Sequence, residues 1–161
     1  MGLNLREKER LAENKFKEWL NEKEIPFWYI HQEPDTFSNV FRKENVKRPD
    51  FIILIPNIGF ILTDVEYKEP ARKYPEFQIN VEETLKYCKI QEKYKLNIWY
   101  VFSNAINHFS TWYWIPVSKV KEIGEERKYR GYYGIPIEEF IIISKTQGIN
   151  KLFAEMDRFF R

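Results

Sequence analysis

Apolar positions along the chain change their rhythm from segment to segment. From about residue 4 to 24 they fall at helical spacing, with Ala12, Phe16, Trp19 and Leu20 on one stripe and no Gly or Pro between Leu3 and Pro26. This predicts an opening helix stopped by Pro26. Phe27-Trp28-Tyr29-Ile30 is a short aromatic strand. Residues 33–47 are polar, carry Pro34-Asp35 and Ser38-Asn39, and read as loop or edge structure. Two largely apolar runs, 51–55 and 60–65, flank Pro56-Asn57-Ile58-Gly59, which predicts a hairpin with its turn centred near Ile58. Strands so apolar are expected to be covered on both faces.

The second half is read the same way. Residues 69–76 are a charged connection bounded by proline. Residues 77–94 predict a second helix with Phe77, Val81, Leu85 and Cys88 on its stripe. Strands follow at 97–102 and 112–116, then a polar, Tyr-rich mobile loop at 124–134. A short apolar run at 141–143 and a helix over 148–160 close the chain. There is no internal repeat. The order helix, strands, hairpin, helix, strand, strand, helix predicts an α/β fold, a mixed sheet flanked by helices.

A length of 161 residues suits a single domain over 1–161. No run approaches the ~18 apolar residues of a membrane span. The first eight residues lack the basic-then-apolar pattern of a secretory signal, and Arg6 stands where a myristoylation signal takes Ser or Thr. The lone Cys88 excludes an intramolecular disulfide framework and a multi-Cys zinc site, which suits a cytoplasmic protein, whether cellular or encoded by a virus or phage. With 26 Lys and Arg against 24 Asp and Glu, the net charge is only +2, so affinity for nucleic acid has to come from local arrangement.

The hairpin's far end breaks the apolar pattern. One strand begins Arg48-Pro49-Asp50 and the other ends Asp64-Val65-Glu66-Tyr67-Lys68. Alternation puts Asp64, Glu66 and Lys68 on one face, and folding about Ile58 brings Asp50 opposite Val65 or Glu66. Carboxylates converging beside an apolar sheet need a counter-charge. Mg²⁺ supplies one while requiring only one or two carboxylates, and a bound metal activates water against a phosphodiester. Lys68 beside it is placed to position or deprotonate that water, and the Tyr67 carbonyl is a further candidate ligand.

Pro49-Asp50 followed by Glu66-Tyr67-Lys68 resembles the PD-(D/E)xK motif of the restriction-endonuclease-like nuclease superfamily. Glu13, with Phe16 and Leu20 beside it, is similar to the extra acidic residue that many members carry on their first helix. The order of elements from about residue 8 to 102 resembles the superfamily's αβββαβ core, leaving 103–161 as a C-terminal elaboration. By size and layout the resemblance is nearest to archaeal Holliday-junction resolvases and small viral nucleases. It implies Mg²⁺- or Mn²⁺-dependent phosphodiester hydrolysis, on DNA rather than RNA. Asp50, Glu66 and the Tyr67 carbonyl would hold the metal, Lys68 would serve the water, and Glu13 would assist. Gln78 or Gln91 would supply a glutamine that some members add, and a homodimer is compatible with the family.

Competing readings stand beside these. Asp64 is either an auxiliary ligand or a second charge at a strand end, and Glu13 either a site residue or a flanking surface charge. His31, His108, Cys88 and the aromatics of Trp112-Tyr113-Trp114 read as structural. Basic groups at Arg42, Lys43, Lys47 and Arg48, and at Arg72 and Lys73, read as phosphate contacts or solvated loops. Lys119, Lys121, Arg127, Lys128 and Arg130, with Tyr129, Tyr132 and Tyr133, would give a second grip on nucleic acid. As a whole, the chain is either a nuclease or a non-hydrolytic module of the same fold that binds nucleic acid or a protein. A third reading makes the acidic cluster a structural ion-pair network only.

Overall fold

In the computed structural model, residues 2–44 and 46–160 are described, and Met1, where the leader reading begins, lies outside them. Asn4 opens helix α1 (Leu5–Glu22): its side chain accepts the Glu7 amide while the Glu7 carboxylate accepts the Asn4 amide. The expected stripe Ala12, Phe16, Trp19 and Leu20 is the buried face of this helix. Strand β1 (Phe27–Tyr29) follows, and the polar stretch after it contains a short helix, α2 (Asn39–Lys43), capped by Ser38.

Strands β2 (Phe51–Ile55) and β3 (Gly59–Tyr67) form the expected hairpin, pairing Ile55 with Gly59 and Phe51 with Thr63. The loop is 56–58 and its centre is Asn57, which takes the left-handed conformation (φ 64°) that Asn tolerates well. The centre therefore lies one residue before Ile58, and the far end shifts with it. Asp50 falls beside Thr63 and Asp64, not opposite Val65 or Glu66, and its N–H donates to the Thr63 carbonyl at 2.8 Å.

Residues 77–94 are not one helix. Strand β4 (Glu76–Asn80) comes first, with Phe77 and Ile79 buried and Gln78 and Asn80 exposed, a period of two. Asn80 then caps α3 (Val81–Tyr94), whose buried residues are Thr84, Tyr87 and Ile90, while Leu85 is exposed. A capping Asn inside the apolar pattern ends the strand and resets the helical face. Strands β5 (Ile98–Ser103) and β6 (Thr111–Pro116) come next, followed by helix α4 (Val117–Gly124), which the sequence reading did not include.

The stretch expected as a mobile loop is instead a hairpin of β7 (Lys128–Tyr129) and β8 (Tyr132–Pro136). Arg130 and Gly131 both take positive φ at its two-residue turn, the conformation that suits the twist of tight hairpins. Strand β9 (Ile141–Ser144) precedes two short helices, α5 (Asn150–Glu155) and α6 (Asp157–Phe160), where one longer helix was expected.

The main sheet runs β1-β2-β3-β5-β6-β9, and β4-β8-β7 form a second, three-stranded sheet. Only β3 and β5 pair in parallel within the main sheet, as a connection through a helix requires. On one face α1 packs against the sheet: the Phe16 ring lies 5.2 Å from Phe51, 5.0 Å from Trp112 and 5.6 Å from Trp114. Trp112 and Trp114 are thus core residues. On the other face lie α3, α4 and the second sheet, with Phe77 between Phe102 and Phe140. Both faces of the hairpin are covered along its middle, its turn at 56–60 is exposed, and its far end with Asp50 and Asp64 is buried. The elements α1, β1, β2, β3, α3 and β5 reproduce the αβββαβ order.

Candidate functional site

Strand alternation sends the even-numbered side chains of β3 toward α3. Asp64 is fully buried there, and its Oδ2 accepts the Tyr87 hydroxyl of α3 at 2.9 Å. Two residues on, Glu66 reaches the end of the same face, and Glu83 meets it from the first turn of α3, positioned by the Asn80 cap. Asp64, Glu66 and Glu83 each bring a carboxylate oxygen to within 4.8 Å of the others. Lys47, from the segment before β2, places its Nζ among them: 3.1 Å from Asp64 Oδ2, 3.3 Å from Glu66 Oε1 and 3.1 Å from Glu83 Oε1.

Asp50 is 4% exposed, and its Oδ2 accepts the Val65 amide at 2.8 Å. Burial, and then the charge of Asp64 beside it, raise its pKa far above the usual carboxylate range. Asp64 is the ionised member of the pair. Burial acts against its charge, but Lys47 and hydrogen bonds from Asp50, Lys47 and Tyr87 outweigh it and hold the pKa low. When Asp50 is also ionised, Asp64 Oδ1 has no hydrogen-bond partner among the described residues. Burial, Glu66 and Asp64 push Glu83 up to about 8. Burial works against the Lys47 ammonium too, yet Asp64, Glu66 and Glu83 more than reverse this and raise its pKa.

An open cleft of about 620 Å³ adjoins the cluster. Asp50, Asp64, Val65 and Glu66 line one side of it, and Arg6, Glu9, Arg10 and Glu13 of α1 line another. Glu13 Oε2 accepts the Tyr29 hydroxyl at 3.0 Å, so the expected helix carboxylate does face Asp50 across the cleft. Tyr67 does not line it. Its side chain lies on the α1 face, donating to Glu69 at 2.8 Å and accepting the Ala105 amide at 3.2 Å. Lys68 shares the face of Asp64 and Glu66, as expected. Its Nζ lies 3.4 Å from Glu66 Oε2 and 5.5 Å from the centre of the Phe102 ring, away from Asp50.

The remaining candidates divide. Arg48 is tied to its own loop, donating to the Glu33 and Thr36 carbonyls and lying over the Phe37 ring, so it is a staple for the segment that carries Lys47. Gln91 accepts the Ile98 amide, far along α3 from the acidic cluster, and Gln78 is exposed on β4. His31 stacks edge-on against Tyr29 at the rim of the cleft. Cys88 Sγ donates to the Val117 carbonyl between α3 and α4. Arg127 is held by Glu76 and the Gly134 carbonyl, which leaves the exposed Tyr129, Arg130 and Tyr132 at the tip of the second sheet. Glu83 and Glu9 lie outside the site expected from the sequence, and no local signal marks Glu9. Asn80 three residues before Glu83 was the only cue, as a helix cap.

Structures of known proteins share this arrangement of elements. Hjc, a Holliday junction resolvase from the archaeal hyperthermophile Archaeoglobus fulgidus, superposes with a TM-score of 0.53 over 84% of this chain and 94% of its own, at 10% identity. A nuclease from a fusselovirus superposes with a TM-score of 0.51 over 99% of this chain and 96% of its own, at 12% identity. The fold is restriction-endonuclease-like. No protein-family model and no curated protein matches the sequence. In this chain the start of β2, the end of β3, α1 and α3 all bring carboxylates to one end of the main sheet. No helix among the described residues is long and apolar enough to cross a membrane.

Proposed function

We propose that the chain is a single-domain, divalent-metal-dependent nuclease that hydrolyses phosphodiester bonds, of DNA rather than RNA. The observation that carries this reading is the convergence of Asp64, Glu66 and Glu83, with buried Asp50 adjoining, beside a cleft rimmed by Arg6 and Arg10. The donor set fits Mg²⁺ or Mn²⁺: all carboxylate oxygen, with a buried Asp64 oxygen left without a donor once Asp50 ionises. Asp50, Asp64 and Glu66 would hold the ion, with Glu83 and the Tyr67 carbonyl as further donors. A bound ion of this kind makes water nucleophilic at neutral pH and takes up charge on the phosphate.

The chain's own groups have distinct tasks in this reading. Arg6 and Arg10 draw the phosphate backbone into the cleft and orient it. Lys68, paired with Glu66, keeps a positive charge beside the reacting water and orients it. Glu13, fixed by Tyr29, anchors a water across the cleft from Asp50. Two copies acting as a homodimer would suit cutting on both strands.

A second reading rests on Lys47. An ammonium already bonded to three carboxylates is what a purely structural ion-pair network contains, and it favours a non-hydrolytic module that binds nucleic acid or a protein. A cleavage assay separates the two, using linear, circular and branched DNA and RNA with Mg²⁺ or Mn²⁺. Metal-dependent cutting by wild type that disappears in folded Glu66→Gln and Asp64→Asn variants supports the nuclease. Retention of nucleic acid without cutting supports the module.

A further inference from the structure

We propose that Lys47 is a built-in occupant of the divalent-cation position, an ammonium that partly neutralises the acidic cluster and must swing out when a metal enters. The inference rests on the metal-site reading above and adds to it a device that controls occupancy.

The geometry is that of a cation in its cage. Lys47 Nζ lies 3.1–3.3 Å from one oxygen each of Asp64, Glu66 and Glu83, the same three carboxylates whose oxygens approach one another within 4.8 Å. Three carboxylates face one ammonium, with Lys68 pairing only with the far oxygen of Glu66. A single positive charge under-neutralises such a group, whereas a doubly charged ion matches it better. An ammonium also cannot donate in every direction. Lys47 reaches Asp64 only at Oδ2, and once Asp50 ionises the buried Asp64 Oδ1 has no hydrogen-bond partner among the described residues. A buried carboxylate oxygen without a donor marks a position that Lys47 fills only in part.

Lys47 is also free to leave. It lies outside regular structure, on the approach to β2, and 42% of its side chain is exposed. A flexible four-carbon stem lets the ammonium turn toward the cleft with no change of backbone. That cleft is where the proposed function places the phosphates, so the displaced ammonium gains an anionic partner there. Metal and nucleic acid are then linked: each makes the other's binding more favourable, by the same factor in both directions.

The test is a titration of Mn²⁺ into catalytically undemanding protein alone, read by electron paramagnetic resonance of the free ion. Lys47→Met, which keeps length and removes the charge, is expected to bind Mn²⁺ at least about tenfold more tightly than wild type, as loss of a competing close charge implies. Its melting temperature in EDTA is expected to fall and to rise on Mn²⁺ addition by more than that of wild type. Equal or weaker Mn²⁺ binding by a folded Lys47→Met overturns the role of Lys47 and leaves the metal site standing. Absence of Mn²⁺ binding in both proteins overturns the metal reading itself and the proposal with it. Crystals of wild type grown with Mn²⁺ give an answer that does not depend on the variant's folding. An anomalous peak among Asp64, Glu66 and Glu83 with Nζ withdrawn supports the displacement, and a peak with Nζ still bonded to all three carboxylates refutes it.

Discussion

Asp50 Oδ2 accepts the Val65 amide, and this bond aims the carboxyl group at Asp64 instead of at Glu66. An amide that would otherwise lack a partner at the end of the hairpin therefore orients a candidate ligand. Asp50→Asn keeps an acceptor for Val65 and a donor for Asp64 but can no longer ionise to meet a metal. It is expected to leave the melting temperature unchanged or higher and to slow cleavage by about a hundredfold or more. Asp50→Ala removes the acceptor as well and is expected to cost about 1–3 kcal/mol of stability. Thermal melts with matched cleavage rates distinguish the two effects.

Asp64 and Lys68 should separate binding from chemistry. Asp64 is buried at the centre of the acidic cluster, while Lys68 touches it only through Glu66. Asp64→Asn is expected to abolish both Mn²⁺ binding and cutting. Lys68→Ala is expected to keep Mn²⁺ affinity within about threefold, under 1 kcal/mol, and to lower the cleavage rate at saturating metal. Calorimetric titration beside single-turnover rates measures both, and the reverse pattern would place the metal at the far end of β3.

The face of α3 is open to a direct check. Leu85 is exposed and Ile90 is buried, contrary to the stripe expected from the sequence. Leu85→Glu is expected to change stability by no more than about 0.5 kcal/mol, whereas Ile90→Ala is expected to cost about 2–4 kcal/mol. Urea melts report both.

The sign of the pH dependence follows from the cluster. Burial and neighbouring carboxylates raise the pKa of Asp50, and raise that of Glu83 from 4.5 to about 8. The folded protein then holds protons that the unfolded chain releases, so stability falls as pH rises from about 4.5 to 8. Asp64 is shifted the other way, so its contribution is present above the unfolded value and is lost only in more acid solution. Lys47 is shifted upward, and its contribution stays constant through this window. In EDTA the melting temperature is expected to decline between about pH 5 and 8, while the rise produced by Mn²⁺ grows as the ion takes the place of protons. A melting temperature in EDTA that is flat or rising would contradict the assigned shifts.

The sequence disclosed the elements whose signal is local. Ala12, Phe16, Trp19 and Leu20 repeat at helical spacing, and both hairpin strands border an Asn-x-Gly turn, so α1, β2 and β3 were readable without coordinates. Asp50, Glu66 and Lys68 stand out together in the sequence because one hairpin carries them, while the structure sets Asp50 against Asp64 and Lys68 against Glu66. The error of one position in the turn had a real consequence: it hid the pairing of Asp50 with Asp64. Glu83 was out of reach for another reason. It joins the cluster only after Asn80 ends a strand and restarts the chain as a helix, and a periodicity of apolar residues passes over that change. Lys47 looked like any loop lysine, because its three partners come from two other elements. The β7–β8 hairpin was masked by its polar, Tyr-rich exterior, although Tyr133 and Ile135 are wholly buried.

The groups that meet at the end of the sheet come from residue 13 on α1, residues 47–50 before β2, residues 64–66 on β3 and residue 83 on α3. The shortest stretch that contains them all runs from residue 13 to residue 83. Assembly of the cluster thus has to await the docking of α1 and α3 on opposite faces of the β2–β3 hairpin, contacts that are distant in sequence and slow to close. A nascent or partly unfolded chain would carry scattered, mutually repelling carboxylates and no affinity for a divalent ion. Capacity for metal would arise in one step with the finished tertiary structure, so that a half-made molecule is also a harmless one.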